Sequence, residues 1–230
     1  MHAPALPPAW RGWYVVAVLS IASIVSFIDR QIINLLVDPI KADLGISDFQ
    51  ISLLQGFAFA LFYAVLAVPL AWISDRYNRK MVILFGLVCW SAATFASGLA
   101  SVFMVLFLAR MFIGVGEATL APAGMSIISD MFSKKRLPGP ISVYIGSGFI
   151  GSGLALTVGG YLYSLLVEAG PQTLPFGTFV PWQLTFFAVA LLSVPVFLML
   201  LTIREPVRRD DTSVIQKDDM PPAFEVLGFL

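Results

Sequence analysis

From Met81 to Ser129 the chain carries only two charged residues, Arg110 and Glu117. As one helix this stretch would run to about 70 Å, roughly twice what a bilayer needs, so it must cross a membrane twice and break near Ser97-Gly98 to Ser101. The second crossing, Val102 to Ser129, holds both charges in the run Arg110-Met111-Phe112-Ile113-Gly114-Val115-Gly116-Glu117. Positions i, i+4 and i+7 put Arg110, Gly114 and Glu117 on one helical face. A charge at bilayer depth costs about 2.5–3.5 kcal/mol on insertion scales, so such groups face a bundle interior or wet cavity and mark ion or substrate paths. A structural ion pair locking this helix to a neighbour is the alternative reading. Gly114 and Gly116 cost helix propensity and predict close packing, and Pro122 and Gly124 predict a bend in the lower half.

The remainder is equally apolar. With 58% hydrophobic and 12% charged residues among 230 and a mean hydropathy of +0.88, the chain is an integral membrane protein. Its one cysteine, Cys89, excludes an intrachain disulfide, and His2 lies in a loose N-terminus. The sequence offers no nucleophile–base pair, metal cluster, phosphate loop or nucleic-acid patch. It therefore predicts neither an enzyme nor a cofactor, metal or nucleic-acid site.

Six crossings follow: about 13–37, 49–73, 81–97, 102–129, 141–166 and 182–203, an all-α membrane fold. Residues 1–12 read as a tail, 13–203 as one six-helix bundle and 204–230 as a charged linker. Asp38-Pro39 and 41–48 read as a polar loop, with Ser47 or Asp48 capping the second crossing. Pro69 predicts a kink, and the short turn at 74–80 makes crossings two and three antiparallel neighbours. The fifth crossing is glycine-rich, with Gly151 and Gly153 among the residues expected to pack closely. A Gly/Pro-rich loop leads to the sixth.

An even number of crossings puts both termini on one side. That side has Arg11, three basic residues between crossings two and three, three between four and five and four after six, whereas the other side has only Lys41. By the positive-inside rule the termini are cytoplasmic, in a cell (inner) membrane protein.

At helical rise, Asp29 lies about 24 Å up the first crossing, and Arg110 and Glu117 lie about 12 and 22 Å down the fourth. Arg110 can therefore pair with either acid, and protonating a carboxylate would free it for the other partner or for an anionic solute. Pairing of Asp29 with its neighbour Arg30 is the plainer alternative.

These residues carry a resemblance. Ala71-Trp72-Ile73-Ser74-Asp75-Arg76-Tyr77-Asn78-Arg79-Lys80 resembles the loop motif of the major facilitator superfamily, and Arg110 to Glu117 resembles its fourth-helix motif. Together with Ile28-Asp29-Arg30 and Gly151-Ser152-Gly153-Leu154, the pattern is similar to the spinster-like transporters. Ala71 stands where the superfamily usually has glycine, and the fifth helix lacks the antiporter proline.

The resemblance implies the N-terminal half of a two-half fold, truncated before its second six-helix half, with the site between the halves. It implies Asp29 and Glu117 as protonatable acids and Arg110 as their counter-ion. Arg30 would anchor a helix or meet an anionic headgroup, and Asp75, Arg76, Arg79 and Lys80 would form a conformational gate. The expected function is secondary active transport of a small organic or lipid-derived amphipathic solute, coupled to protons. A non-transporting sensor or assembly scaffold is the alternative.

Overall fold

The computed structural model describes residues 6–209. Among these are six helices or helix pairs long and apolar enough to cross a membrane: Ala9–Leu35, Asp48–Arg76, Arg79–Gly98, Phe103–Met131, Pro138–Ala169 and Pro181–Thr202. They comprise α1 (Ala9–Leu35), α3 (Asp48–Ser52) continuing through a π-turn (Leu53–Phe57) into α4 (Ala58–Arg76), α5 (Arg79–Gly98), α6 (Phe103–Glu117) with α7 (Leu120–Met131), α8 (Pro138–Ala169) and α9 (Pro181–Thr202). Between the first two crossings lies a short helix, α2 (Val37–Leu44).

The starts of the helices follow local chemistry. Ser47 and Gln50 form a reciprocal capping box at α3, and the Asn78 side chain accepts from the Met81 amide, 2.9 Å, at α5. Pro138 and Pro181 open α8 and α9, where a missing N–H is no loss.

Several expectations are corrected. The predicted loop after the first crossing is largely α2: Asp38 and Pro39 sit in its first turn, where an acid suits the helix dipole and proline is tolerated, and Gly45 ends it at φ 61°. The fourth crossing is not merely bent at Pro122. It breaks at Ala118-Thr119, because Pro122 has no N–H to give the Ala118 carbonyl and its ring crowds that turn. Glu117 is thereby the last residue of α6. Pro69 lies within α4 without ending it, and that crossing also contains the π-turn, which the sequence did not predict. The Gly/Pro loop contains a two-stranded hairpin, β1 (Gln172–Leu174) with β2 (Gly177–Phe179).

The second and third crossings, adjacent in sequence, meet mainly near their turn. The second packs on the fourth, the third on the fourth and sixth, and the first on the fifth and sixth. One apolar cluster, with Leu19, Ile83, Leu87, Trp90 and Ile127, fills the basic end, and another, with Ile32, Leu36, Leu106, Trp182 and Phe186, fills the opposite end. Only 22% and 28% of the most apolar stretches of the second and fifth crossings are buried, against 50% or more for the other four. Those two helices present the unpartnered faces.

Glycine permits the tightest contacts. A Cβ on Gly114 would lie 2.6 Å from the Phe59 carbonyl oxygen, one on Gly116 2.6 Å from that of Gly86, and one on Gly151 2.7 Å from that of Ile24. Gly153 faces open space, so the packing role expected of it is absent from this half. Gly151→Leu is expected to destabilise by about 1–3 kcal/mol through overpacking, and Gly153→Leu to stay within about 0.5 kcal/mol of the parent. Thermal unfolding of the two variants in detergent reads the difference.

Candidate functional site

Asp29 and Arg30 of the first crossing and Arg110 and Glu117 of the fourth assemble where the two apolar clusters meet. Asp29, Arg110 and Glu117 are at most 2% exposed. At the end of α6, Glu117 is reached by Arg30 rather than by Arg110: Nη2 and Nε of Arg30 donate to the same Glu117 oxygen, Oε2, at 2.7 and 3.2 Å. The other oxygen, Oε1, is buried with no geometric hydrogen-bond partner among the described residues, and the Ser26 hydroxyl lies beside the carboxylate. The Arg30 side chain keeps 26% of its surface exposed while that of Glu117 has none. The pair therefore opens on the arginine side.

Arg30 is also enclosed by rings. Its guanidinium carbon lies 4.4 Å from the Phe59 ring centre, 4.8 Å from Phe27 and 5.1 Å from Tyr63, and the Phe59 and Tyr63 rings stack at 5.4 Å. Cation–π attraction strengthens as water is excluded. An aromatic wall thus encloses the charge.

Asp29 does not pair with its neighbour Arg30. Its Oδ2 accepts from the Thr94 hydroxyl on α5, and Oδ1 has no partner. The same hydroxyl lies 2.9 Å from the Trp90 carbonyl. Having one hydrogen, Thr94 can donate to only one of them at a time. With Asp29 ionised, Thr94 donates to the carboxylate; with Asp29 protonated, the acid donates to Thr94 and Thr94 to Trp90.

Among the described residues Arg110 makes no salt bridge. Fully buried, it donates to three main-chain carbonyls: Leu54 at 3.4 Å, Asp29 at 3.4 Å and Arg30 at 3.3 Å. The predicted contact with a carboxylate is replaced by contact with the backbone that carries Asp29 and Arg30, although both acids remain in its electrostatic field. The Leu54 carbonyl is offered from the π-turn, a form of helix often found at functional sites. Gly114, one turn past Arg110, lets α4 approach closely enough for this bond. Farther along α1, Gln31, Asn34 and, from the π-turn, Gln55 form a hydrogen-bonded chain of 2.6 and 2.9 Å.

The 75–80 motif divides in two. Asp75 and Arg76 are exposed, with Arg76 4.1 Å above the Trp72 ring. Arg79 is buried instead, bonded to Asp130 at 2.5 Å, Glu205 at 2.9 Å, Ser126 Oγ at 2.9 Å and the Pro206 carbonyl at 3.1 Å. Glu205 also accepts the Lys80 amide at 2.9 Å, and Lys80 Nζ donates to the Leu201 carbonyl at 2.7 Å. The guanidinium ties the third crossing to the ends of the fourth and sixth.

Sequence reasoning missed Thr94, Phe27, Phe59, Tyr63, Asp130 and Glu205. Ordinary in apolar helices or at helix ends, they gain meaning only from what they face. Ser126 and Asp130, one turn apart beside a basic turn, were the one local hint.

Residues 19–227 match the family model of the Major Facilitator Superfamily, and the chain belongs to that superfamily of transporters. Within it the chain is spinster-like and corresponds to the N-terminal half of the fold. It is 30% identical over 214 residues to protein spinster homolog 1 of Homo sapiens, covering 92% of this chain and 38% of that one. With the sphingosine-1-phosphate transporter SPNS2 of Mus musculus it shares 32% identity over 145 residues, 62% of this chain and 26% of that one. A crystal structure of a bacterial homolog of the human lysosomal transporter Spinster, inward-facing and occupied, superposes with a TM-score of 0.77 at 33% identity, covering 87% of this chain and 46% of that one. The chain spans less than half the length of these relatives.

Truncating the Arg79 head group is expected to be severe, because Asp130 and Glu205 then keep half-buried charge without their partner. Arg79→Gln should cost about 3–5 kcal/mol, the usual cost of stranding one side of a buried pair, and adding Asp130→Asn should restore part of it. A double-mutant cycle on thermal unfolding measures the coupling.

Proposed function

We propose that this half-bundle supplies the proton and headgroup site of a secondary active transporter for anionic, lipid-derived amphiphiles. The observation that carries the reading is the Arg30–Glu117 pair, buried on the acid side, open on the arginine side and walled by aromatic rings.

The chemistry follows from charge balance. With Asp29, Arg30, Arg110 and Glu117 all ionised the cluster is neutral, and in a low-dielectric interior neutrality is what limits cost. A proton on Glu117 breaks the pair and leaves one uncompensated positive charge, held on Arg30 within its ring enclosure. An anionic headgroup restores the balance by taking the two guanidinium donors that Glu117 gives up. Proton and anion therefore favour each other's binding. Asp29 is the second acid: its unbonded oxygen and the Thr94 hydroxyl allow it to exchange a proton with no movement larger than a hydroxyl rotation. Arg110 is the fixed counter-charge, clamping the backbone of α1 to the π-turn as the other charges change.

The unpartnered faces of the second and fifth crossings suit two roles. They would close against the C-terminal half during alternating access, and between the halves they would flank an acyl chain. The similarity to a named sphingosine-1-phosphate transporter supports a headgroup with one phosphate and a single apolar tail, and lysophospholipids share that chemistry. The basic end of the bundle is read as cytoplasmic, with the gate residues Asp75, Arg76, Arg79 and Lys80 meeting the second half there.

Flux into proteoliposomes of the complete transporter under an imposed pH gradient tests the mechanism. Glu117→Gln is expected to abolish acceleration by the gradient, and Asp29→Asn to lower it about tenfold or more. Gradient-driven flux equal to the parent in both would remove Glu117 and Asp29 from the mechanism. Arg30→Ala should suppress uptake of a phosphate-bearing amphiphile by about 10²-fold, since a charge-assisted pair of hydrogen bonds is lost, while a neutral analogue of the same chain length changes by less than about threefold.

A further inference from the structure

A cavity lies at the basic end of the bundle, away from the Arg30–Glu117 cluster. It occupies about 550 Å³ between the start of α1 and the ends of α7 and α9. Its floor is apolar, formed by Val15, Met131 and Ile203. Its rim carries Trp10, Arg11, Tyr14 and Arg204, all exposed.

The charge around this cavity does not cancel. Of the two acids that line it, Asp130 and Glu205, each gives an oxygen to Arg79, and the Arg209 and Lys80 amides take others. Arg11 and Arg204 have no carboxylate partner among the described residues, and Arg11 instead rests against the Trp10 ring at 5.3 Å. Arg11 and Arg204 thus stand at this mouth with no carboxylate of their own among the described residues.

We infer that this cavity binds the headgroup of an anionic phospholipid from the adjoining leaflet, with Arg11 and Arg204 taking the phosphate and the apolar floor taking the first part of an acyl chain. Guanidinium groups match phosphate oxygens in bidentate geometry, and basic pockets between membrane helices at the interface are suited to acidic headgroups. Trp10, Trp13 and Tyr14 mark this level as the membrane–water boundary, where amphipathic rings settle. A small soluble anion would use the rim and leave the floor empty; a lipid uses both. The Tyr14 hydroxyl, 2.5 Å from Thr202 Oγ1, joins α1 to α9 at this mouth, so an occupant would brace the two helices that lead to the N-terminal tail and the linker. The site is independent of the transport reading, as neither Arg11 nor Arg204 belongs to the central cluster.

The test is native mass spectrometry of the purified protein in detergent, offered phosphatidylglycerol or phosphatidylcholine. The parent is expected to retain phosphatidylglycerol preferentially, and Arg11→Gln/Arg204→Gln to bind it about 30-fold more weakly, at about 1 kcal/mol for each arginine near a headgroup. Arg11→Lys/Arg204→Lys, which keeps the charge but loses the bidentate fork, should fall between the parent and the glutamine variant. Should the double glutamine variant lose its gel-filtration peak, each single variant carries the same test at about fivefold. Equal retention by parent and glutamine variants overturns the site. Displacement of phosphatidylglycerol by millimolar inorganic phosphate overturns its assignment to lipid in favour of a free anion.

Discussion

The cost of placing charge in a medium of low dielectric governs this bundle. Asp29, Arg30, Arg110 and Glu117 cannot face lipid, so the first and fourth crossings must turn these residues inward and toward one another. Once they do, the neighbours are prescribed: Thr94 comes from the third crossing, and the second must bring Phe59 and Tyr63 against Arg30 and the Leu54 carbonyl against Arg110. Gly114 and Gly116 are where the backbones approach closely enough to seal the cluster. The apolar clusters above and below exclude water from its ends.

Two charge clusters with opposite design occupy the same half. At the basic end, Arg79 is nearly inaccessible and bonded on every side, an arrangement that fixes geometry. At the centre, each acid keeps one unsatisfied oxygen and Arg30 keeps an open edge. Buried polar atoms without partners are uncommon and mark places where strain or exchange is built in. The first cluster holds three crossings in register. The second keeps hydrogen-bonding capacity unused.

Much of this architecture was legible beforehand. The number and approximate limits of the crossings follow from run lengths, because a bilayer fixes the length of an apolar helix more strictly than water does. The importance of Asp29, Arg30, Arg110 and Glu117 was legible for the same reason: a charge inside such a run is too costly to be incidental. Their pairing was not. Helical rise places Arg110 within reach of both acids, but which guanidinium meets Glu117 depends on the rotation of α1 about its axis, and that rotation is set by packing against the fifth and sixth crossings. Gly151 and Gly153, alike in sequence, separate for the same reason: one meets the Ile24 carbonyl and the other faces open space.

By itself, then, the sequence determined a membrane bundle of six crossings and the four residues whose burial needs an explanation, since hydropathy and charge cost are properties of each segment alone. Only the tertiary structure decided that Arg30 holds Glu117, that Arg110 clamps backbone, and that Asp130 and Glu205 converge on Arg79. These are contacts between helices far apart in the chain, fixed by how side chains interlock, and no local pattern of residues encodes them.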